Sequence, residues 1–101
     1  MTSPVALTKL DDAALEEALK ALPEWRRVGD QINREFRAET FRAAVRLVNR
    51  IADLAEGANH HPDLTLSYTK LHITLSTHDA GGLTRRDVNL ARVIDDVLRD
   101  D

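Results

Sequence analysis

Residues 64–75 read "LTLSYTKLHITL". Leu64, Leu66 and Tyr68 alternate with Thr65 and Ser67, and Leu71, Ile73 and Leu75 alternate with His72 and Thr74. In a strand, successive side chains point to opposite faces, so each half of this stretch has one apolar and one polar face. The spacing predicts two strands joined through Thr69-Lys70 as an antiparallel hairpin. A sheet with one wet face needs an apolar cover on the other, and the flanking sequence supplies it.

Upstream, Thr40 can cap a helix in which Phe41, Ala44, Val45, Val48, Ile51, Ala52 and Ala55 form an apolar stripe. Gly57 is placed to end that helix with a left-handed residue. Downstream, Gly81-Gly82 breaks the strand pattern, and Thr84 opens a second helix with Asp87 in capping-box position. Val88, Ala91, Ile94, Val97 and Leu98 give its buried stripe. Towards the N-terminus, Ala14, Leu15, Ala18, Leu19 and Leu22 mark a helix over residues 11–22, stopped by Pro23. Two short extended segments, 25–28 and 31–37, flank the turn-prone Gly29-Asp30. The order α-β-β-α-β-β-α predicts an α+β domain, with helices packed on one face of a four-stranded antiparallel sheet. We read residues 1–101 as a single domain with a flexible lead-in over residues 1–9.

Composition narrows the function. The chain has 101 residues, 43% of them hydrophobic and 31% charged, as expected of a globular domain. A net charge of −3 with no basic block argues against direct nucleic-acid binding. The absence of cysteine removes disulfides, thiolate metal sites and cysteine nucleophiles, and fits a cytoplasmic protein. No segment has the roughly 18 apolar residues of a membrane span, and the acidic N-terminal stretch does not read as a signal peptide.

All four histidines fall between positions 60 and 78. His60, His61 and His78 sit at element boundaries, where rigid scaffolds tend to carry reactive groups. His72 lies mid-strand on the polar face and reads as a bystander. Pro62 stiffens the backbone after the pair and biases His61 away from helical geometry. Adjacent histidines chelate a metal poorly, and no HExxH pair is present; for the carboxylates that would hold ligating imidazoles in place, the sequence offers only candidates, Glu56, Asp63 and Asp87. Imidazole exchanges protons near neutral pH, so proton transfer suits such a cluster better. The residues by themselves leave solvated histidines, a metal site and an acid–base site all open.

Glu56, His60-His61-Pro62, Tyr68, His78 and Asp87, at their mutual spacings, resemble the signature of the pterin-4a-carbinolamine dehydratases. "LPEW" at 22–25, "HITLSTH" at 72–78 and "GGLTRRDVNLA" at 81–91 carry the same resemblance, which runs from about Leu15 to Leu98. The resemblance implies the α+β fold read above, assembled into dimers or tetramers. It implies loss of water from a 4a-hydroxytetrahydropterin to give a quinonoid dihydropterin, without metal or organic cofactor. The hydroxypterin would come from an aromatic amino-acid hydroxylase. By resemblance His60, His61 and His78 line the pocket as acid–base and pterin-positioning groups. Glu56 and Asp87 would be supporting carboxylates beside Pro62, and Asp87 also has the capping role. The sequence departs from the family at Leu64, where many members carry a tryptophan against the pterin; here it reads as a strand residue. Trp25 reads as packing. Some members of the family are instead binding modules, either dimerisation cofactors of a transcription factor or assembly factors.

Overall fold

The computed structural model describes residues 8–100. The hairpin predicted from residues 64–75 is present as β3 (Asp63–Ser67) and β4 (Lys70–Leu75), antiparallel, with Leu66 opposite Leu71 and Leu64 opposite Ile73. On its other edge β4 pairs with β2 (Gln31–Arg37), which pairs with β1 (Arg26–Val28). The sheet order is therefore β1-β2-β4-β3, antiparallel throughout. As one of the two inner strands, β4 buries Leu71, Ile73 and Leu75 completely. Each such side chain contributes roughly 1.5–3 kcal/mol when removed from water. Register places Phe36, Leu71 and Leu66 in one row of the covered face, and Arg34, Ile73 and Leu64 in the next.

The turn sits one residue earlier than the spacing suggested. Ser67 pairs with Lys70, leaving Tyr68-Thr69 as a two-residue loop. Such loops match strand twist when a residue adopts positive φ, and Tyr68 does so at φ 53°. The buried Thr69 carbonyl then accepts from Ala38 N–H at 2.9 Å, tying the hairpin tip to the end of β2.

Helix α2 (Phe41–Ala58) starts where expected, with Thr40 Oγ1 accepting from Ala43 N–H at 3.0 Å. Its buried stripe is Ala43, Ala44, Leu47, Ile51 and Ala55. Phe41, Val45 and Ala52, expected inside, face outward instead. The stripe rotates towards the alanines because small side chains let the helix lie close to its neighbours. Gly57 does not end α2 either. Asn59 does, at φ 51° and ψ 43°, its N–H reaching the carbonyls of Ala55 and Glu56. Asparagine adopts this left-handed geometry readily, so Gly57 is left as an interior helical glycine with open space around a notional Cβ. Gly57→Ala is therefore expected to stabilise the protein by about 0.5–1 kcal/mol, read as a higher Tm.

Helix α1 (Asp12–Leu19) is shorter than the periodicity implied. Its apolar pattern continues through tight turns, with Leu22 N–H on Leu19 O and Trp25 N–H on Leu22 O, both at 3.0 Å. Leu15, Leu22 and Trp25 enter the same core. Trp25 precedes β1 and is packed as expected; its Nε1–H donates to Asp95 Oδ1 at 2.7 Å. That carboxylate also receives Arg34 Nη1 at 2.5 Å, which is how a basic side chain is accommodated on the covered face of β2.

Helix α3 (Arg85–Arg99) opens on the predicted Thr84–Asp87 capping box and buries Val88, Leu90, Ala91, Ile94, Val97 and Leu98. The three helices cover the face of the sheet formed by Ile32, Leu71, Ile73 and Leu75. Of the expected flexible lead-in, residues 1–7 lie outside the described residues. Lys9 forms an isolated antiparallel bridge with Thr84, and Leu10 N–H donates to Leu83 O at 2.9 Å.

Candidate functional site

Asn59 turns the chain out of α2, so His60, His61 and Pro62 cross from the helix end to β3. His60 N–H donates back to Ala55 O at 3.1 Å, folding the first histidine under the helix terminus. Its side chain is buried, and Nε2 lies 2.6 Å from Asp87 Oδ1. Asp87 is fully buried. Its second oxygen accepts from Thr84 N–H at 2.9 Å and from Thr77 Oγ1 at 2.6 Å, and the two threonine hydroxyls lie 2.8 Å apart. One carboxylate thus caps α3 and holds His60; the two roles weighed from the sequence are performed together. A carboxylate is an acceptor, so Nε2 carries the hydrogen of this bond and Nδ1 is the imidazole's other exchangeable position.

His61 stands at the rim. It is exposed, with Nε2 2.5 Å from Oε2 of Glu56 in the last turn of α2. His78 follows β4 as the first residue of a short 3₁₀ turn, His78–Ala80, and is also exposed. The β3–β4 hairpin is what returns the chain to the His60-His61 loop. His60, His61 and His78 line one shallow cleft of about 240 Å³, together with Thr77 and Arg86. The site therefore contains one buried imidazole fixed by a buried carboxylate and two exposed imidazoles, of which, among the described residues, His61 alone pairs with a carboxylate.

Glu56 reaches this cleft only through His61, and Pro62 flanks it without lining it. His72 lies apart, on the open face of the sheet, with Nδ1 3.4 Å from Glu35 Oε2. A hollow of about 340 Å³ there is lined by charged and polar side chains including Arg26, Glu35 and His72. Leu64 is half-buried on the apolar face of β3 opposite Ile73 and does not line the cleft. Among the described residues, no three His, Asp or Glu side chains converge as metal ligands.

Sequence reading missed Arg86 and Thr77. Arg86 Nη2 donates to Asn59 O at 2.5 Å and makes a longer contact of 3.5 Å with Ala58 O. Neither residue has a spacing signal, because their partners lie 27 and 10 positions away.

Comparisons with known proteins place the sequence and the fold in one family. A family model described as "Pterin 4 alpha carbinolamine dehydratase" matches residues 8–97. The chain is 51% identical over 90 residues to a protein of Nocardia farcinica named "Putative pterin-4-alpha-carbinolamine dehydratase", covering 89% of this chain and 95% of that one. A protein of the same name from Thermomicrobium roseum is 48% identical, covering 85% and 92%. Among solved structures, a "transcriptional coactivator/pterin dehydratase" from Brucella melitensis superposes with a TM-score of 0.86 at 31% identity, covering 90% of this chain and 99% of that one. A pterin dehydratase-like RuBisCO assembly factor of the alpha-carboxysome shares the fold at a TM-score of 0.64 and 20% identity, over 74% of this chain and 89% of that one. With a family match over residues 8–97 and the signature histidines gathered on one cleft, the chain belongs to the pterin-4a-carbinolamine dehydratase family.

Proposed function

We propose that this protein is a 4a-hydroxytetrahydropterin dehydratase, a hydro-lyase acting through histidine acid–base chemistry. The observation that carries the reading is the joint placement of His60, His61 and His78 on one cleft, with His60 anchored to the buried Asp87.

The reaction needs two proton movements. A lone pair on a ring nitrogen forms a double bond to C4a as the C4a–O bond breaks, and its electrons leave with oxygen. Hydroxide is a poor leaving group, so an imidazolium protonates that oxygen as it departs and water is released. A ring nitrogen gives up its proton to a neutral imidazole or to a water held by one. Three imidazoles on one cleft supply both partners, and the cycle closes when the two histidines exchange protons with solvent. His61 and His78, both exposed, suit this re-equilibration; His60, held by Asp87, suits orienting the ring. No metal or organic cofactor enters these steps.

In this reading the substrate is supplied by an aromatic amino-acid hydroxylase and the product goes to a reductase. We place the protein in the cytoplasm, where that cycle would run; no helix among the described residues is long and apolar enough to cross a membrane. The test is the rate of dehydration of freshly generated 4a-hydroxytetrahydropterin. Enzyme at micromolar concentration should accelerate it well above buffer, and a rate equal to buffer would rule the reading out.

A second reading rests on a separate observation. Phe41 and Val45 leave an exposed apolar strip on α2, with Phe41 52% accessible. Such a strip suits homo-oligomerisation into a dimer or tetramer, or a binding module like the coactivator and assembly-factor relatives. A stoichiometric protein partner recovered equally by wild type, His61→Ala and His78→Ala would favour the binding module.

A further inference from the structure

Arg86 and Asp87 are consecutive residues in the first turn of α3 and grip opposite ends of one histidine. Asp87 holds the His60 ring through Nε2. Arg86 holds the backbone just before it, through the carbonyls of Asn59 and Ala58. We propose that Arg86 is a positioning residue of this site: its guanidinium clamps the left-handed exit of α2 and so fixes where His60 and His61 stand over the cleft. The proposal rests on the dehydratase reading and adds to it a residue outside the histidine–carboxylate set.

Three physical points support it. The last carbonyls of a helix have no partner within the helix, and α2 carries no basic residue in its own last turn. Arg86 brings that cation from α3, where it also complements the negative end of the α2 macrodipole. Second, Asn59 occupies the left-handed region at φ 51°. Its peptide orientation decides the direction in which the next two side chains leave, so holding its carbonyl sets the aim of both histidines. Third, Arg86 forms no ion pair with a carboxylate among the described residues, although it lines the same cleft as Asp79. Its Nη2 is committed to the loop, and the side chain stands beside His60 on the cleft wall. A rigid grip on both ends of His60 suits a reaction in which misplacement by about 1 Å costs on the order of a hundredfold.

The experiment compares Arg86→Ala, Arg86→Lys and the neighbouring exposed Arg85→Ala as full-length proteins. Histidine ring resonances and the amides of residues 59–61 are followed by NMR, alongside kcat, KM and Tm. Arg86→Ala is expected to shift the His60 and His61 rings. It should lower kcat/KM by about 10- to 100-fold, mainly in kcat, while Arg85→Ala does neither. Arg86→Lys, which keeps the charge, should recover part of the loss, and added millimolar guanidinium should restore activity to Arg86→Ala. The proposal is overturned if Arg86→Ala keeps kcat/KM within about twofold of wild type, or if its loss follows a fall in Tm and guanidinium restores nothing. Should Arg86→Ala not fold, Arg86→Gln serves in its place. If the wild type shows no turnover, the dehydratase reading fails; the NMR comparison then decides the clamp by itself, with unshifted rings overturning it.

Discussion

Asp87→Ala is expected to lower Tm by about 15–25 °C and to remove most of the dehydratase activity in whatever protein remains folded. The carboxylate is fully buried and accepts from three donors: Thr84 N–H, Thr77 Oγ1–H and the His60 imidazole. Deleting an acceptor strands its donors, at about 1–3 kcal/mol for each one left buried. The Thr77 hydroxyl can turn to Thr84 Oγ1, 2.8 Å away. Thr84 N–H and His60 have no such alternative, so the net loss is about 3–4 kcal/mol, with the α3 cap lost as well. A domain of this size has a total stability of only about 5–15 kcal/mol. Asp87→Asn separates the two effects. Its carbonyl oxygen can keep the cap while its NH2 turns to His60 as a donor, which reverses that bond and forces the imidazole into its other tautomer. The variant should therefore fold with a smaller drop in Tm and still be slow. Thermal denaturation followed by circular dichroism, paired with turnover, checks both. An Asp87→Ala protein melting within about 3 °C of wild type would show that the buried network carries little of the fold.

His61→Ala and His78→Ala should show the reverse pattern, with activity lost and the fold kept. Both side chains are exposed. Substitutions at such positions usually change stability by less than about 0.5 kcal/mol, so Tm should stay within a few degrees. If these imidazoles carry the proton to the departing oxygen and take the one leaving nitrogen, removing either should lower kcat by about 10²–10⁴-fold. The double variant should be little worse than the poorer single one, because groups that act in one step do not contribute additively. His60→Ala is a less clean probe, since it leaves the buried Asp87 without its imidazole and mixes stability with catalysis. Single variants retaining more than about a third of wild-type kcat would move the chemistry away from His61 and His78.

Much of the fold was legible because its signals are local. The alternation through residues 64–75 specified the hairpin, and the Thr40 and Thr84 caps specified two helix starts, each from side chains within a few residues of their partners. The errors fell where tertiary context outweighed local preference. Gly57 is the better left-handed residue by itself, yet α2 runs on to Asn59, where the late carbonyls accept from Arg86. The apolar stripe of α2 passes through Leu47, Ile51 and three alanines, leaving Phe41 and Val45 outside. The hairpin turns at Tyr68-Thr69 because strand register, not composition, places Lys70 opposite Ser67.

The candidate site divides along the same line. From the sequence come the identities of the three histidines, their boundary positions and the capping role of Asp87, because each depends on residue type and short spacing. The tertiary structure decides which histidine is buried, that Asp87 holds it, and that Thr77 and Arg86 complete the surroundings. Those facts depend on bringing the end of β4 and the first turn of α3 against the end of α2. Such contacts span tens of residues and leave no periodic trace in the chain.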